Sequence, residues 1–155
     1  MSREGRFEVG ETIIVLDDEI DMLVLLRTIV TGRTAHRVVT TNNPLELEEL
    51  METHRPALII SDLKMLGRDG LEVIDVAHRF DPTVPVVIVT AYGSLESAEE
   101  AVRKGAYDYI TKPFRKEQVL IAIERALEWR RLTAENARLK GGRGPAPRGR
   151  PGRAT

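Results

Sequence analysis

The chain has 155 residues, a formal net charge of −1, 42% hydrophobic and 30% charged residues, the make-up of one globular domain with at most an appendage. The absence of cysteine excludes disulfides, thiolate metal sites and a cysteine nucleophile. No apolar run approaches the roughly 18 residues of a membrane span, and the polar start MSREGRFEVG lacks a signal-peptide core, so a cytoplasmic protein without membrane contact is expected. Charge is unevenly placed. Residues 141–155 carry Arg143, Arg148, Arg150 and Arg153 and no acid, which leaves a mildly acidic body with no broad basic face for nucleic acid.

Residues 1–10 read as an arm. Thr12 to Leu16 (TIIVL) is a β-branched run that ends in Asp17-Asp18-Glu19, and a helix follows through Ile20, Leu23, Val24, Arg27 and Val30 to Gly32. Acids are favoured at a helix start, so these three serve as a cap or belong to a site at a strand end. Arg37 to Thr41 is a second strand. Asn42 or Asn43 then caps a helix with Pro44 at its first position, running to about His54. Leu58 to Asp62 (LIISD) is a buried strand that ends on a carboxylate, where an aspartate either caps a turn or builds a site. A loop with Gly67 and Gly70 leads to a helix through Leu71, Val73, Ile74 and Ala77, broken at Asp81-Pro82. Pro85 to Val89 is the fourth strand, closing at Thr90, and Ser94 caps a helix that Gly105 stops. Tyr107 to Thr111 is the fifth strand, with Tyr107 and Tyr109 straddling Asp108 and so expected to share a face. It ends at Lys112-Pro113, and a last helix starts near Lys116 with no breaker before Gly141.

Five strands alternating with five helices predict an α/β fold, a doubly wound five-stranded parallel sheet covered on both faces. By analogy with flavodoxin and the chemotaxis receiver, the expected strand order is 2-1-3-4-5, whose reversal falls between strands one and three. That brings Asp17, Asp18 and Asp62 to one crevice, with Thr90 and Lys112 at the ends of strands four and five. Three close carboxylates need a cation or a proton between them. With oxygen donors only and no histidine or cysteine nearby, Mg²⁺ suits the set. The chemistry that fits is phosphoryl transfer to a carboxylate, with charge stabilised by a metal and a lysine.

These residues resemble the receiver domains of bacterial two-component response regulators, in the style of NtrC-type regulators. The resemblance spans Glu11 to about Leu132. It rests on VLDDE (15–19), SDLKM through DG (61–70), VTAY (89–92) and YITKPF (109–114). It implies that Asp62 is the phosphoacceptor. Asp17, Asp18, Asp62 and the backbone carbonyl of Lys64 would hold Mg²⁺, while Thr90 and Lys112 would each meet a phosphoryl oxygen. Thr90 and Tyr109 would be the switch pair, Lys112-Pro113 a cis peptide, and residues about 94–125 the face that a downstream partner reads. A sensor histidine kinase or phosphotransfer protein would supply the phosphoryl group. One departure stands out: the family usually has proline where this chain has Leu66. Ala91 is small beside the phosphate, Tyr92 would bear on how fast that phosphate is lost, and the Lys64 side chain either does the same or, as the favoured reading, is simply solvated.

The receiver is expected over residues 11–128 and a helical extension over 129–140. There Trp129, Leu132, Asn136 and Leu139 fall at a-d-a-d spacing, and an asparagine at a favours a parallel two-stranded coiled coil. A dimerising helix and a solvated one remain open. Residues 141–155 read as a disordered basic tail. Two other readings compete with the switch. An idle receiver-fold scaffold that dimerises through its last helix gives no reason for all five site residues. An aspartate-nucleophile phosphatase would need an acid at position 64, where Lys64 stands. No helix-turn-helix sequence remains to bind DNA.

Overall fold

The computed structural model describes residues 10–139, so the arm up to residue 9, Lys140 and the basic tail lie outside the described residues. In chain order the elements are β1 (Thr12–Leu16), α1 (Ile20–Arg33), β2 (Arg37–Thr41), a 3-10 turn (Pro44–Glu46), α2 (Leu47–His54), β3 (Leu58–Ser61), α3 (Gly70–Phe80), β4 (Val86–Thr90), α4 (Leu95–Lys104), β5 (Asp108–Thr111) and α5 (Lys116–Leu139). The strands form one parallel sheet in the order β2-β1-β3-β4-β5, the expected 2-1-3-4-5.

Alternation along the strands divides the core into two layers, because successive side chains leave opposite faces. Ile13, Val15, Leu58, Ile60, Val87 and Val89 face α1 and α5. Ile14, Leu16, Ile59, Val86 and Ile88 face the side covered by α2, α3 and α4. A strand buried on both faces is apolar through its interior, which is why β1, β3 and β4 read as apolar runs, with Thr12, Ser61 and Thr90 only at their ends. Tyr107 and Tyr109 do not share a face: Tyr107 packs with the α1/α5 layer and Tyr109 with the other. Tyr107 precedes β5, so the strand's pleat does not govern it.

Helix starts follow local chemistry. Ser94 Oγ accepts the Ser97 N–H (3.0 Å) at the start of α4, and Asp69 and Glu72 form a reciprocal capping box on α3. Asn43 caps the 3-10 turn by accepting the Leu45 N–H (3.1 Å), so the second helix begins with a tighter turn than the sequence suggests. Glu19 is the N-cap of α1, and its side chain makes no cap bond.

Helix α5 continues past residue 128, and some of the residues there still pack on the domain. Thr133 is still buried, Trp129 is half-buried against Tyr107 with ring centroids 5.8 Å apart, and Arg130 Nη2 stands 3.8 Å from the Asp81 carboxylate. The remaining heptad positions, Leu132, Asn136 and Leu139, are exposed. No helix among the described residues is long and apolar enough to cross a membrane.

Candidate functional site

The sheet register places the site. Leu16 pairs with Ser61, and the Asp62 N–H donates to Leu16 O (2.9 Å), so Asp17 and Asp62 leave adjacent strands side by side. On the other flank Thr90 pairs with Thr111, and the Lys112 N–H donates to Thr90 O (2.9 Å). Every element here ends at the carboxyl edge, where an open α/β sheet presents its ligands.

Asp17 is 1% exposed, and Asp62 is buried as well. Lys112 Nζ lies 3.0 Å from Asp17 Oδ2, 3.6 Å from Asp62 Oδ2 and 3.7 Å from Glu19 Oε1. One ammonium therefore serves three carboxylates. Asp17 Oδ1 accepts the Glu19 N–H (2.8 Å), Asp62 Oδ1 accepts the Leu63 N–H (2.7 Å), and Asp18 Oδ2 accepts the Leu66 N–H (3.2 Å). Burial pushes the Asp17 carboxyl above its ordinary pKa. The Glu19 N–H and Lys112 pull it back without winning, and the Asp62 charge adds to the rise. Burial works to lower the Lys112 pKa, but the bond to Asp17 and the charges of Asp17, Asp62 and Glu19 outweigh it and raise it.

Thr90 is fully buried, and its Oγ1 accepts the Tyr92 N–H (3.1 Å), which leaves the hydroxyl proton to donate. Tyr92 also links outward. Its carbonyl accepts the Tyr109 hydroxyl (3.0 Å) and the Ser97 hydroxyl (3.2 Å), and Ser97 Oγ lies 3.2 Å from the Tyr109 oxygen. Thr90 and Tyr109 are thus joined through one backbone unit at the entrance to α4. Lys64 Nζ stands 5.5 Å from the centroid of the Tyr92 ring. Lys112-Pro113 is cis, as the resemblance implies.

Two glycines are sterically required near these residues. A Cβ on Gly70 would stand 2.7 Å from Asp62 O and 3.0 Å from Leu63 Cα. One on Gly93 would stand 2.3 Å from Thr111 Cγ2.

Residues 13–124 match the family described as the response regulator receiver domain, nearly three quarters of the chain. The chain belongs to the response regulator receiver family. Nitrogen assimilation regulatory protein NtrX of Azorhizobium caulinodans is 37% identical over 134 residues, 85% of this receiver chain and 29% of that protein. C4-dicarboxylate transport transcriptional regulatory protein DctD of Pseudomonas aeruginosa is 32% identical over 140 residues, 90% of this chain and 30% of that protein. A crystal structure of NtrX from Brucella abortus in complex with ATP superposes with a TM-score of 0.79 at 32% identity, covering 84% of this chain and 30% of that one. The receiver thus spans about three tenths of the length of the relatives it matches.

Receivers generally use Mg²⁺ for phosphorylation, and the donors here fit that ion. They are hard oxygens without histidine or cysteine, and Asp17 is a buried carboxylate whose burial and neighbour Asp62 both disfavour its charge. Yet among the described residues no three carboxylate or histidine side chains converge to grip a metal by themselves. Asp18 Oδ2 is engaged by the β3–α3 loop, and Lys112 stands against Asp17 and Asp62. Mg²⁺ asks for only one or two carboxylates, its other positions going to carbonyl, water and phosphate oxygens.

That loop contains what the sequence reading missed. Arg68 forks onto Glu48 (2.8 and 2.9 Å) and also donates to Pro44 O (3.2 Å), tying the loop to the second helix. The pair is 20 residues apart in sequence, and no local pattern announces it.

Proposed function

We propose that this receiver is a phosphorylation-dependent switch in which Asp62 takes a phosphoryl group from a phosphohistidine of a sensor kinase or phosphotransfer protein. The observation that supports it most is the shared ammonium, Lys112 Nζ at 3.0 Å from Asp17 and 3.6 Å from Asp62. An Asp62 carboxylate oxygen attacks phosphorus, the P–N bond breaks, and its electron pair returns to the imidazole. Lys112 and the Thr90 hydroxyl each meet one phosphoryl oxygen, which disperses the charge that builds up there. Asp17, Asp18, Asp62 and the Lys64 carbonyl would hold Mg²⁺, which would supply charge neutralisation.

The readout follows from the links at Tyr92. Drawing the Thr90 hydroxyl toward phosphate pulls on the Tyr92 N–H, and the Tyr92 carbonyl passes the displacement to Tyr109 and Ser97. Helix α4, β5 and the start of α5 then change together, and a downstream protein reads that face. Both states must lie within a few kcal/mol for one phosphate to select between them.

Intact-mass measurement after incubation with Mg²⁺ and acetyl phosphate is the test. One hydroxylamine-labile adduct is expected on the wild type, and none with EDTA or in Asp62→Ala. A folded wild type that gains no adduct overturns the reading.

Exposed Leu132 and Leu139, with Asn136 between them, also support self-association through the end of α5. Asn136→Lys is then expected to convert a dimer to monomer in sedimentation. A wild type that is monomeric at high concentration, with and without phosphate, excludes it.

A further inference from the structure

Leu66 is 85% exposed, so its side chain buries almost nothing. What this residue contributes to the site is its backbone N–H, which donates to Asp18 Oδ2 at 3.2 Å. Proline, the residue expected here from the resemblance, has no N–H to give.

The loop that presents this donor is held on both sides of it. Before it, the Leu63 N–H is fixed on Asp62 Oδ1, and Leu63 O accepts the Gly70 N–H (2.8 Å). After it, Gly67 takes a left-handed φ of 91°, Arg68 is clamped to Glu48 and Pro44 O, and Asp69 starts the α3 capping box. The donor is thus positioned by the fold rather than carried on a free loop. It takes one oxygen of the one site carboxylate that Lys112 does not reach, since the ammonium is shared among Asp17, Asp62 and Glu19. A carboxylate acceptor strengthens such a bond over a neutral one, and it occupies an Asp18 oxygen that a metal would otherwise be free to take.

We infer that the Leu66 N–H is a positioning donor that competes with Mg²⁺ for Asp18 and thereby sets the receiver's metal affinity. This rests on the reading that the acid site takes Mg²⁺. The β3–α3 loop is consequently coupled to metal occupancy: releasing Asp18 frees the loop at Leu66, while the Arg68 clamp keeps its far end in place.

The experiment is a Mg²⁺ titration of the full chain by calorimetry and by amide NMR, for wild type, Leu66→Pro and Leu66→Ala. Leu66→Pro removes the donor and is expected to bind Mg²⁺ about fivefold more tightly, the equivalent of one charge-assisted bond at an exposed position. Leu66→Ala keeps the N–H and is expected to match the wild type. In the wild type, saturating Mg²⁺ is expected to shift the Leu66 amide resonance upfield and to speed its exchange with solvent. That signature does not depend on the proline variant folding well. A Leu66 amide that ignores bound Mg²⁺ overturns the inference, as does equal affinity of the proline variant and wild type. Equal tightening in Leu66→Ala and Leu66→Pro overturns it too, because the side chain would then be responsible. Absence of any Mg²⁺ binding by wild type removes the site reading and this inference together.

Discussion

Val15 and Asp17 stand two residues apart on the same chain segment and are equally hidden from water, yet burial acts on them in opposite senses. Val15 lies in the apolar layer under α1 and α5, where removal from water stabilises the fold. Asp17 lies at the carboxyl edge, where removal from water penalises its charge and Lys112 offsets only part of that penalty. The interior of the sheet holds the domain together. Its edge stores unfavourable charge that a cation or a phosphoryl group can engage.

The largest loss is expected in the interior. Ile60→Ala, in the fully buried central strand, is expected to cost about 3–4 kcal/mol in urea unfolding. A cost below about 1 kcal/mol would mean that the core repacks freely. Gly70→Ala probes the seam between the two regions: its methyl group meets the backbone of Asp62 and Leu63, so a loss of about 2 kcal/mol is expected together with slower phosphorylation by acetyl phosphate.

At the edge the sign reverses. The folded state holds a proton on Asp17 more tightly than the unfolded chain does, so ionised Asp17 costs stability above the folded pKa. Stability recovers as pH falls through that pKa toward the unfolded value. Asp17→Asn is therefore expected to raise the thermal midpoint at pH 7 without Mg²⁺, and the advantage should shrink on acidification. A lower midpoint at pH 7 would place Asp17 among the stabilising residues instead.

The smallest effect belongs to Arg68→Ala. The Arg68 fork holds the Glu48 carboxyl below its ordinary pKa, so this pair stabilises above the unfolded Glu48 value and loses its effect as pH falls through the folded one. Glu48 is more than a third exposed, which limits the cost to about 0.5–1 kcal/mol at pH 7. The gap between Arg68→Ala and wild type should close at acidic pH, and each denaturation series checks the other.

Sequence carried the interior almost completely, since two-sided burial imposes apolar runs on β1, β3 and β4. The strand order came from analogy, because periodicity says which residues are buried and not which strand is whose neighbour. The edge was legible through side-chain identity: Lys112 stands against Asp17 and Asp62, and Thr90 closes the neighbouring strand. Asp18 accepts the Leu66 N–H, and a backbone N–H leaves no mark in a sequence except where proline deletes it. Arg55 closes α2 in a left-handed conformation with φ of 46°, where glycine would have signalled the turn. Packing along α5 includes Trp129, Arg130 and Thr133. Thr133 and Arg130 look like surface residues until the helix is laid against Asp81 and the rest of the domain.

The single tryptophan of the chain, Trp129, occupies the seam between α5 and Tyr107. Helix α5 starts beside the carboxyl edge and runs back along the sheet, so the thirteen residues from Lys116 carry Trp129 about 20 Å along the helix from that end. Its emission consequently reports how α5 is seated and has no direct view of the acids. A change in emission on adding Mg²⁺ or a phosphodonor would therefore record a reseating of α5 against Tyr107.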